Sequence, residues 1–146
     1  MEILQSFQNN YTSKIEIYHD YSNNFEDIKK LILNKLEINL NDYSYELIER
    51  ETKAGYKMKY HRDNYMLRKV NNTYLFIPFN DSKLPQYTLI WYRNSEFTGG
   101  ALEFLSKKIY KPSKDLFVFF DSNDIHRVNE QLSGIRITNI YKFYID

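Results

Sequence analysis

Two histidines and one aspartate have the spacing of a small metal site. His61 and Asp63 are two positions apart in a segment that we predict to be a β-strand. Successive side chains of a strand point to opposite faces, so this imidazole and this carboxylate share one face. A second histidine, His126, comes much later in the chain, within another segment of strand character. The pattern predicts a metal site with two imidazole ligands and one carboxylate ligand.

This ligand set favours an open catalytic site over a closed structural one. Two histidines and one carboxylate on one face of a metal leave the opposite positions free, as expected for non-heme Fe(II) oxygenases. The free positions accept a bidentate co-substrate and then oxygen. Arg136 follows His126 by ten residues (136 − 126) on the next predicted strand. Its planar guanidinium binds a carboxylate through two hydrogen bonds, which suggests the far end of a dicarboxylic acid as its ligand.

Composition excludes several other functions. The chain has 146 residues and no cysteine, so disulfides, thiolate metal sites and cysteine nucleophiles are ruled out. A formal net charge of +1 predicts neither a strong polyanion binder nor an acidic tail. The length fits one domain spanning residues 1–146. Without a basic start followed by an apolar run, or a stretch of transmembrane length, we expect a cytoplasmic protein without membrane contact.

Periodicity predicts the elements that position these residues. Apolar residues at helical spacing predict one amphipathic helix over 24–36, with Asn23 or Asn24 as N-cap. Prolines and polar residues interrupt the segment 64–87, so a hairpin or flap is predicted there, with a strand over 73–77. Turns are predicted at Gly99-Gly100 and at Ser133-Gly134. The other strands are predicted at 14–18, 43–51, 56–63, 87–92, 101–105, 109–110, 116–120, 125–128 and 135–144.

Many short strands with one convincing helix favour a mainly β fold, a double-sheet barrel of jelly-roll type. We expect the strand at 116–120 to be buried on both faces, because its apolar run shows no alternation. Within the single domain, residues 1–42 are expected to form an N-terminal helical support. Residues 43–146 are expected to form the β core that holds the metal site.

Further motifs accompany the metal pattern in a fixed order. They are Gly55, then 60–63, 88–94, 97–104, 111–112, 116–120, 126–128 and 134–136. A His-x-Asp pair alone is common, whereas its ordered combination with Gly-Gly, a distal histidine and a basic residue is distinctive. With these motifs the chain resembles the Fe(II)- and 2-oxoglutarate-dependent dioxygenases, specifically their prolyl 4-hydroxylase-like branch. The resemblance extends from Gly55 to the C-terminus.

The resemblance implies a role for each candidate site residue. The two histidines and the aspartate would bind Fe(II), and Arg136 would pair with the distal carboxylate of 2-oxoglutarate. The hydroxyl of Tyr92 would help to hold the same carboxylate. Leu102 would line this pocket, and Thr138, on the strand face of Arg136, would add a hydrogen bond. Oxygen would be the third component of the reaction, after iron and 2-oxoglutarate.

The resemblance also implies the fold and the activity. The fold would be a double-stranded β-helix, jelly-roll and cupin-like, with at least one supporting N-terminal helix. The activity would be hydroxylation of an unactivated C–H bond with release of succinate and CO2. A protein or peptide is the expected partner, with proline as the leading target residue. Arg62 and Arg68 are the candidate substrate contacts, since both carry charge near the expected cleft.

Some positions depart from the family pattern and leave alternatives open. Many relatives carry an aromatic residue where Met58 stands, and a tyrosine where Glu51 and Thr52 stand. These departures concern the contacts to the metal-proximal carboxylate of 2-oxoglutarate. The stretch between Asp63 and Thr88, where substrate would be covered, is longer than in compact relatives. The same chemistry on a nucleobase or a small molecule is therefore an alternative, as is a catalytically silent β-barrel that binds a partner. Nucleic-acid repair relatives usually add a second arginine near the first, where this chain has Lys142, so a nucleic-acid substrate is disfavoured. The sequence predicts no oligomeric state.

Overall fold

The computed structural model describes residues 15–19, 22–63, 65–71, 73–78 and 84–145, with the side chains of 65–70 and 73–78 outside the description. The one helix among them is α1 Phe25–Leu36, and a single 3-10 turn covers Leu40–Asp42. The strands are β1 Ile15–His19, β2 Tyr43–Lys53, β3 Met58–His61, β4 Tyr65–Val70, β5 Thr73–Pro78, β6 Tyr87–Tyr92, β7 Phe97–Gly99, β8 Leu102–Phe104, β9 Ile109–Tyr110, β10 Leu116–Asp121, β11 His126–Val128 and β12 Gln131–Ile145.

The strands form two antiparallel sheets and a separate hairpin. The main sheet has the order β1-β10-β6-β12-β2, with β7 paired to the first part of β12. The minor sheet has the order β3-β11-β8-β9. β4 and β5 pair only with each other, which confirms a hairpin in the segment after Asp63. The mainly β fold predicted from the sequence is thus confirmed.

Helix α1 covers one face of the main sheet. Asn24 caps the helix, because its side chain accepts a hydrogen bond from the backbone N–H of Glu26. The helix ends at Leu36, where Glu37 takes a left-handed conformation. Ile28 and Ile32 are fully buried on the side of the helix that faces the sheet. The predicted helix and its N-cap are confirmed.

The main sheet has an apolar core on each face, and β10 contributes to both. Phe117 and Phe119 pack with α1 in the outer core. Leu116, Val118 and Phe120 pack between the two sheets in the inner core. The prediction that this strand is buried on both faces is confirmed. The inner face also carries the polar side chains of the candidate site.

Three details differ from the sequence prediction. β3 ends at His61, so Asp63 lies just beyond the strand. The short strand β7 was not predicted. The turn predicted at Ser133-Gly134 is wrong: both residues lie inside β12, at an irregularity in its pairing with β7. The register shifts by one residue between Gln131 and Ser133, just before Gly134, which has a positive φ of 76°.

The N-terminal segment is not helical alone, because β1 precedes the helix and pairs with β10 at the edge of the main sheet. The division into an N-terminal support and a β core remains a prediction. No helix among the described residues has the length and apolar character needed to cross a membrane.

Candidate metal centre and carboxylate pocket

The minor sheet brings the two candidate histidine ligands together. His61 on β3 and His126 on β11 are directly paired across the strands. Asp63 follows β3, and its Oδ1 lies 3.3 Å from His61 Nε2 and 3.2 Å from His126 Nε2. One potential ligand atom of each residue lies within 4.8 Å of the others. The structure therefore assembles the three residues that the sequence selected, and their binding of a metal stays a prediction.

Backbone carbonyls orient both imidazoles. His61 Nδ1 lies 2.7 Å from the carbonyl oxygen of Lys59, and His126 Nδ1 lies 2.8 Å from that of Asp124. A carbonyl only accepts, so each Nδ1 carries the proton and donates it. In the neutral imidazole, each Nε2 is then the nitrogen that is free to bind a metal ion at the shared centre. This tautomer, held by an outer hydrogen bond, is the one that a metal ion requires.

The Asp63 carboxylate is also held from behind. Thr88 Oγ1 donates a hydrogen bond of 2.5 Å to Asp63 Oδ2, leaving Oδ1 to face the histidines. The Thr88 hydroxyl lies 3.2 Å from that of Ser122, whose backbone carbonyl accepts from Asp63 N–H. Neither Thr88 nor Ser122 was predicted from the sequence to belong to the site. The available signal was that Thr88 shares the face of Tyr92 on β6.

Electrostatics keep this carboxylate charged despite its burial. Burial alone would raise the pKa of Asp63, but the adjacent His126 and His61 imidazoles lower the pKa well below its usual range. Burial lowers the pKa of His126, and the neighbouring Asp63 carboxylate more than offsets this, so that pKa is raised. An anionic carboxylate beside two imidazoles is the donor set that Fe(II) accepts.

Arg136 is a second buried charge on the inner face of the main sheet. Its side chain is 3% exposed, and its Nε has no hydrogen-bond partner among the described residues. Nη1 reaches the carbonyl oxygen of Gly100 only at 3.5 Å. The guanidinium carbon lies 5.4 Å from the ring centre of Tyr56 and 5.7 Å from that of Tyr92. Within the described part of the chain, no carboxylate pairs with this cation.

Three residues that were predicted to line the carboxylate site are buried on the inner side of the main sheet, which also carries Arg136. Thr138 is fully buried, and within the described residues its hydroxyl lacks a partner. Thr138 pairs with Tyr92 across β12 and β6. Burial raises the pKa of Tyr92 to about 12 although Arg136 opposes the shift, so its hydroxyl stays a proton donor. Leu102 is fully buried in the same inner core as Tyr92.

The two predicted substrate contacts are described to different extents. Arg62 lies between His61 and Asp63 in the chain and is half-buried. Arg68 lies on β4, and its side chain is outside the described residues. Their contact with a substrate stays a prediction. Tyr56, which sequence reasoning did not select, touches Arg136, and the only available signal was its place directly after Gly55.

Solved structures of prolyl hydroxylases share this fold. One is the viral collagen prolyl hydroxylase of Paramecium Bursaria Chlorella virus-1 in complex with 2-oxoglutarate, with 17% identity over 92% of this chain and 80% of that chain and a TM-score of 0.58. Another is a prolyl-4-hydroxylase of Pseudomonas putida, with 14% identity over 92% of this chain and 72% of that chain and a TM-score of 0.58.

A third similar structure is a member of the 2-oxoglutarate-Fe(II) oxygenase family from Burkholderia pseudomallei. It has 10% identity over 98% of this chain and 78% of that chain, with a TM-score of 0.53. No protein-family model matches the sequence, and no curated protein matches it. At these identities the similarity establishes the fold, which confirms the double-stranded β-helix of jelly-roll type predicted from the resemblance.

Proposed function

We propose that this protein is an Fe(II)- and 2-oxoglutarate-dependent oxygenase that hydroxylates an unactivated C–H bond, with release of succinate and CO2. The target is a peptidyl residue such as proline. The observation that carries the proposal is that two complementary groups share the inner face of the fold. Two oriented imidazoles and a carboxylate meet at one end, and a buried arginine without an anionic partner among the described residues lies on the same inner face.

The donor set at the first end fits Fe(II). His61, Asp63 and His126 present two nitrogen atoms and one oxygen atom toward a common centre. The hydrogen bonds to both Nδ1 atoms and to Asp63 Oδ2 hold these donors in place without using the metal-facing atoms. Three donors on one side leave room for a chelating co-substrate, which a structural metal site would not.

The second end fits the distal carboxylate of 2-oxoglutarate. A charge buried as deeply as Arg136 is unfavourable without an anion, and the flanking tyrosine rings offset only part of that cost. A carboxylate would take the free guanidinium N–H groups, with the hydroxyls of Tyr92 and Thr138 as additional donors. A ligand that joins both ends must carry a chelating group and a distal carboxylate.

Iron and 2-oxoglutarate together would supply the oxidising power for C–H hydroxylation, with O2 as the oxidant. The protein's own residues would bind and orient the metal and the co-substrate, and would exclude water from the site. The ring of Phe120 packs 4.7 Å from the ring of His126, and Phe104 packs at 5.7 Å. Leu102 on β8 is fully buried in the same inner core as Phe104 and Phe120. These apolar walls limit water near the reacting centre.

A peptide target is supported by position and by similarity. The hairpin β4–β5 begins directly after Asp63, where it flanks the metal end of the pocket. Loops beside a rigid site commonly contact the substrate. Two of the similar solved structures are prolyl hydroxylases, one of them named for collagen. A nucleobase or a small molecule is the alternative target for the same chemistry.

The direct test is turnover. Purified protein is mixed with Fe(II), 2-oxoglutarate and oxygen, with proline-containing peptides, nucleosides or no substrate, while succinate and substrate mass are followed. We expect the most succinate with the proline-containing peptides, and a gain of one oxygen atom in a peptide only. The matched control His126→Ala should form none. Absence of succinate from the wild-type protein in all arms would contradict the enzymatic function, and oxidation of a nucleoside would contradict the peptide target.

A further inference from the structure

A second arginine stands next to the carboxylate pocket. Arg50 lies on β2 opposite Thr138 of β12, so its side chain leaves the same inner face of the sheet. Arg50 Nη1 donates a hydrogen bond of 3.0 Å to the hydroxyl oxygen of Tyr56. The ring of Tyr56 in turn lies 5.4 Å from the guanidinium carbon of Arg136. Tyr56 therefore links two cations.

The backbone holds Tyr56 in this place. Gly55 N–H donates to the carbonyl oxygen of Gln131 at 2.8 Å, and Gln131 N–H donates to the carbonyl oxygen of Tyr56 at 2.9 Å. Two hydrogen bonds thus fasten the turn between β2 and β3 to the start of β12. The nearby Thr52 hydroxyl is already committed, because it donates to the Gln131 side chain at 2.7 Å. The Tyr56 hydroxyl, in contrast, can still donate a hydrogen bond to a ligand.

The direction of the Arg50 hydrogen bond decides what the Tyr56 hydroxyl offers. A guanidinium only donates, so the phenol oxygen is the acceptor and its own proton is left for another acceptor. Tyr56 is also close enough to Tyr92 to raise the pKa of that buried phenol, although burial is the larger cause. The two phenols and Arg136 therefore form one electrostatic group, with three donors and no anion among the described residues.

We propose that Tyr56 is a further binding residue for the distal carboxylate of the 2-oxo diacid, and that Arg50 is the positioning residue that turns its hydroxyl toward that carboxylate. The inference rests on the proposed function and adds a specificity determinant to it. Tyr56 would select co-substrates with a distal carboxylate over 2-oxo acids that lack one. If Tyr56 were purely structural, with its ring packed on Arg136, loss of its hydroxyl would not distinguish the two kinds of 2-oxo acid.

The test measures binding by calorimetry without oxygen, so that it does not depend on turnover. The Fe(II)-loaded wild type, Tyr56→Phe, Arg50→Met and the double variant are titrated with 2-oxoglutarate and with 2-oxobutyrate, which chelates a metal but has no distal carboxylate. Tyr56→Phe keeps the ring and removes only the hydroxyl. It should weaken 2-oxoglutarate roughly tenfold, as expected for a hydrogen bond to a charged group, and leave 2-oxobutyrate and Fe(II) affinity unchanged.

Arg50→Met should weaken 2-oxoglutarate no more than Tyr56→Phe does. The double variant should match Tyr56→Phe alone, because Arg50 acts through the Tyr56 hydroxyl. The matched controls Tyr45→Phe and Arg93→Met remove the same groups at exposed positions and should change nothing. Additive losses in the double variant would contradict the positioning role. Equal weakening of both 2-oxo acids by Tyr56→Phe would indicate a structural role and overturn the inference.

The two levels of proposal fail separately. If the wild type binds 2-oxoglutarate only when iron is present, but Tyr56→Phe binds it equally well, then the inference about Tyr56 is wrong and the proposed function stands. If the wild type shows no iron-dependent binding of either 2-oxo acid, the proposed function itself fails. Both results come from the same set of titrations.

Discussion

The two ends of the pocket differ in how fully their polar atoms are satisfied. At the metal end, Nδ1 of both histidines and Oδ2 of Asp63 have short hydrogen bonds from 2.5 to 2.8 Å. At the carboxylate end, Arg136 Nε and Thr138 Oγ1 are buried without a partner among the described residues. The first end is organised by the protein alone. The second fits the proposed carboxylate ligand, because no described residue supplies an anion there.

Because of this difference, substitutions at the two ends should affect folding stability and ligand affinity differently. A residue at the metal end takes part in native hydrogen bonds, so its removal should cost both metal affinity and folding stability. A residue at the carboxylate end contributes buried polarity without compensation, so its removal should cost ligand affinity and spare or increase stability. Substitutions at the two ends therefore have opposite expected effects on the protein without its ligand.

The largest expected effect belongs to the metal ligands. Asp63→Asn keeps the shape of the side chain and removes its charge, so Fe(II) affinity should fall by more than about a hundredfold. Calorimetric titration under anaerobic conditions measures this. Asp42→Asn is the matched control at an exposed position and should bind like the wild type. Unchanged Fe(II) affinity in both Asp63→Asn and His126→Ala would contradict the proposed metal site.

Arg136→Met tests the other end. The substitution removes the carboxylate partner and no metal ligand, so 2-oxoglutarate affinity should fall roughly a hundredfold while Fe(II) affinity stays the same. Because a buried cation without an anion is replaced by an apolar chain, the thermal midpoint of the ligand-free variant should rise by about a few degrees. Differential scanning calorimetry measures this midpoint. An equal loss of iron and 2-oxoglutarate, or a lower midpoint, would show that Arg136 is structural.

Two threonines offer the same substitution at both ends. Thr88 and Thr138 are both buried on the inner face, on neighbouring strands. Thr88→Val deletes the donor to Asp63, so it should lower Fe(II) affinity about tenfold and reduce stability. Thr138→Val should leave iron binding and stability intact and weaken 2-oxoglutarate a fewfold. The same pattern of losses in both variants would contradict a division of the pocket into two ends.

The smallest effect is expected on the outer side of the minor sheet. Tyr60 donates to Glu103 at 2.7 Å, and Arg127 contacts both carboxylate oxygens at 3.0 and 2.9 Å. The Tyr60 hydrogen bond is the main cause that lowers the pKa of Glu103, burial opposes it, and Arg127 adds to the lowering. A lowered folded pKa stabilises the protein above the unfolded value, about 4.3, and this contribution disappears as pH falls through the folded value.

Glu103→Gln should therefore lower the thermal midpoint at about pH 6 and lose this difference toward about pH 3. Thermal scans of the wild type and the variant across this range measure the effect. Fe(II) and 2-oxoglutarate affinity should stay the same, because Glu103 touches neither end of the pocket. A difference that grows toward low pH would show that the carboxylate is not stabilised by these contacts.

The residues that were predicted from the sequence follow from local spacing. His61 and Asp63 were selected because they are two positions apart, although Asp63 lies just beyond the end of β3. Thr138 was selected from the family resemblance, and it shares a strand face with Arg136. The strand β10 was predicted because a short apolar run without alternation is typical of a strand that is covered on both faces. The helix α1 was predicted with its cap, since Asn24 precedes an acidic first turn.

The residues that were missed depend on contacts between distant strands. Thr88 meets Asp63 only because the two sheets face each other, and Tyr56 meets Arg50 and Arg136 only after the β2–β3 turn is fastened to Gln131. Ser133-Gly134 is typical of a turn, but glycine is also needed inside a strand where another backbone comes close. Gly134 pairs with Phe97 of β7, and a Cβ at Gly134 would clash with the backbone carbonyl of Glu96.

The central claim is that one ligand joins both ends of this pocket, and an anaerobic titration of 2-oxoglutarate tests it most directly. The wild-type protein is titrated with and without Fe(II), beside Arg136→Met with Fe(II). If one ligand joins both ends, the iron-loaded wild type should bind 2-oxoglutarate saturably, and binding should be weaker both without iron and in the variant. Binding that is independent of iron, or equally strong in Arg136→Met, would contradict it.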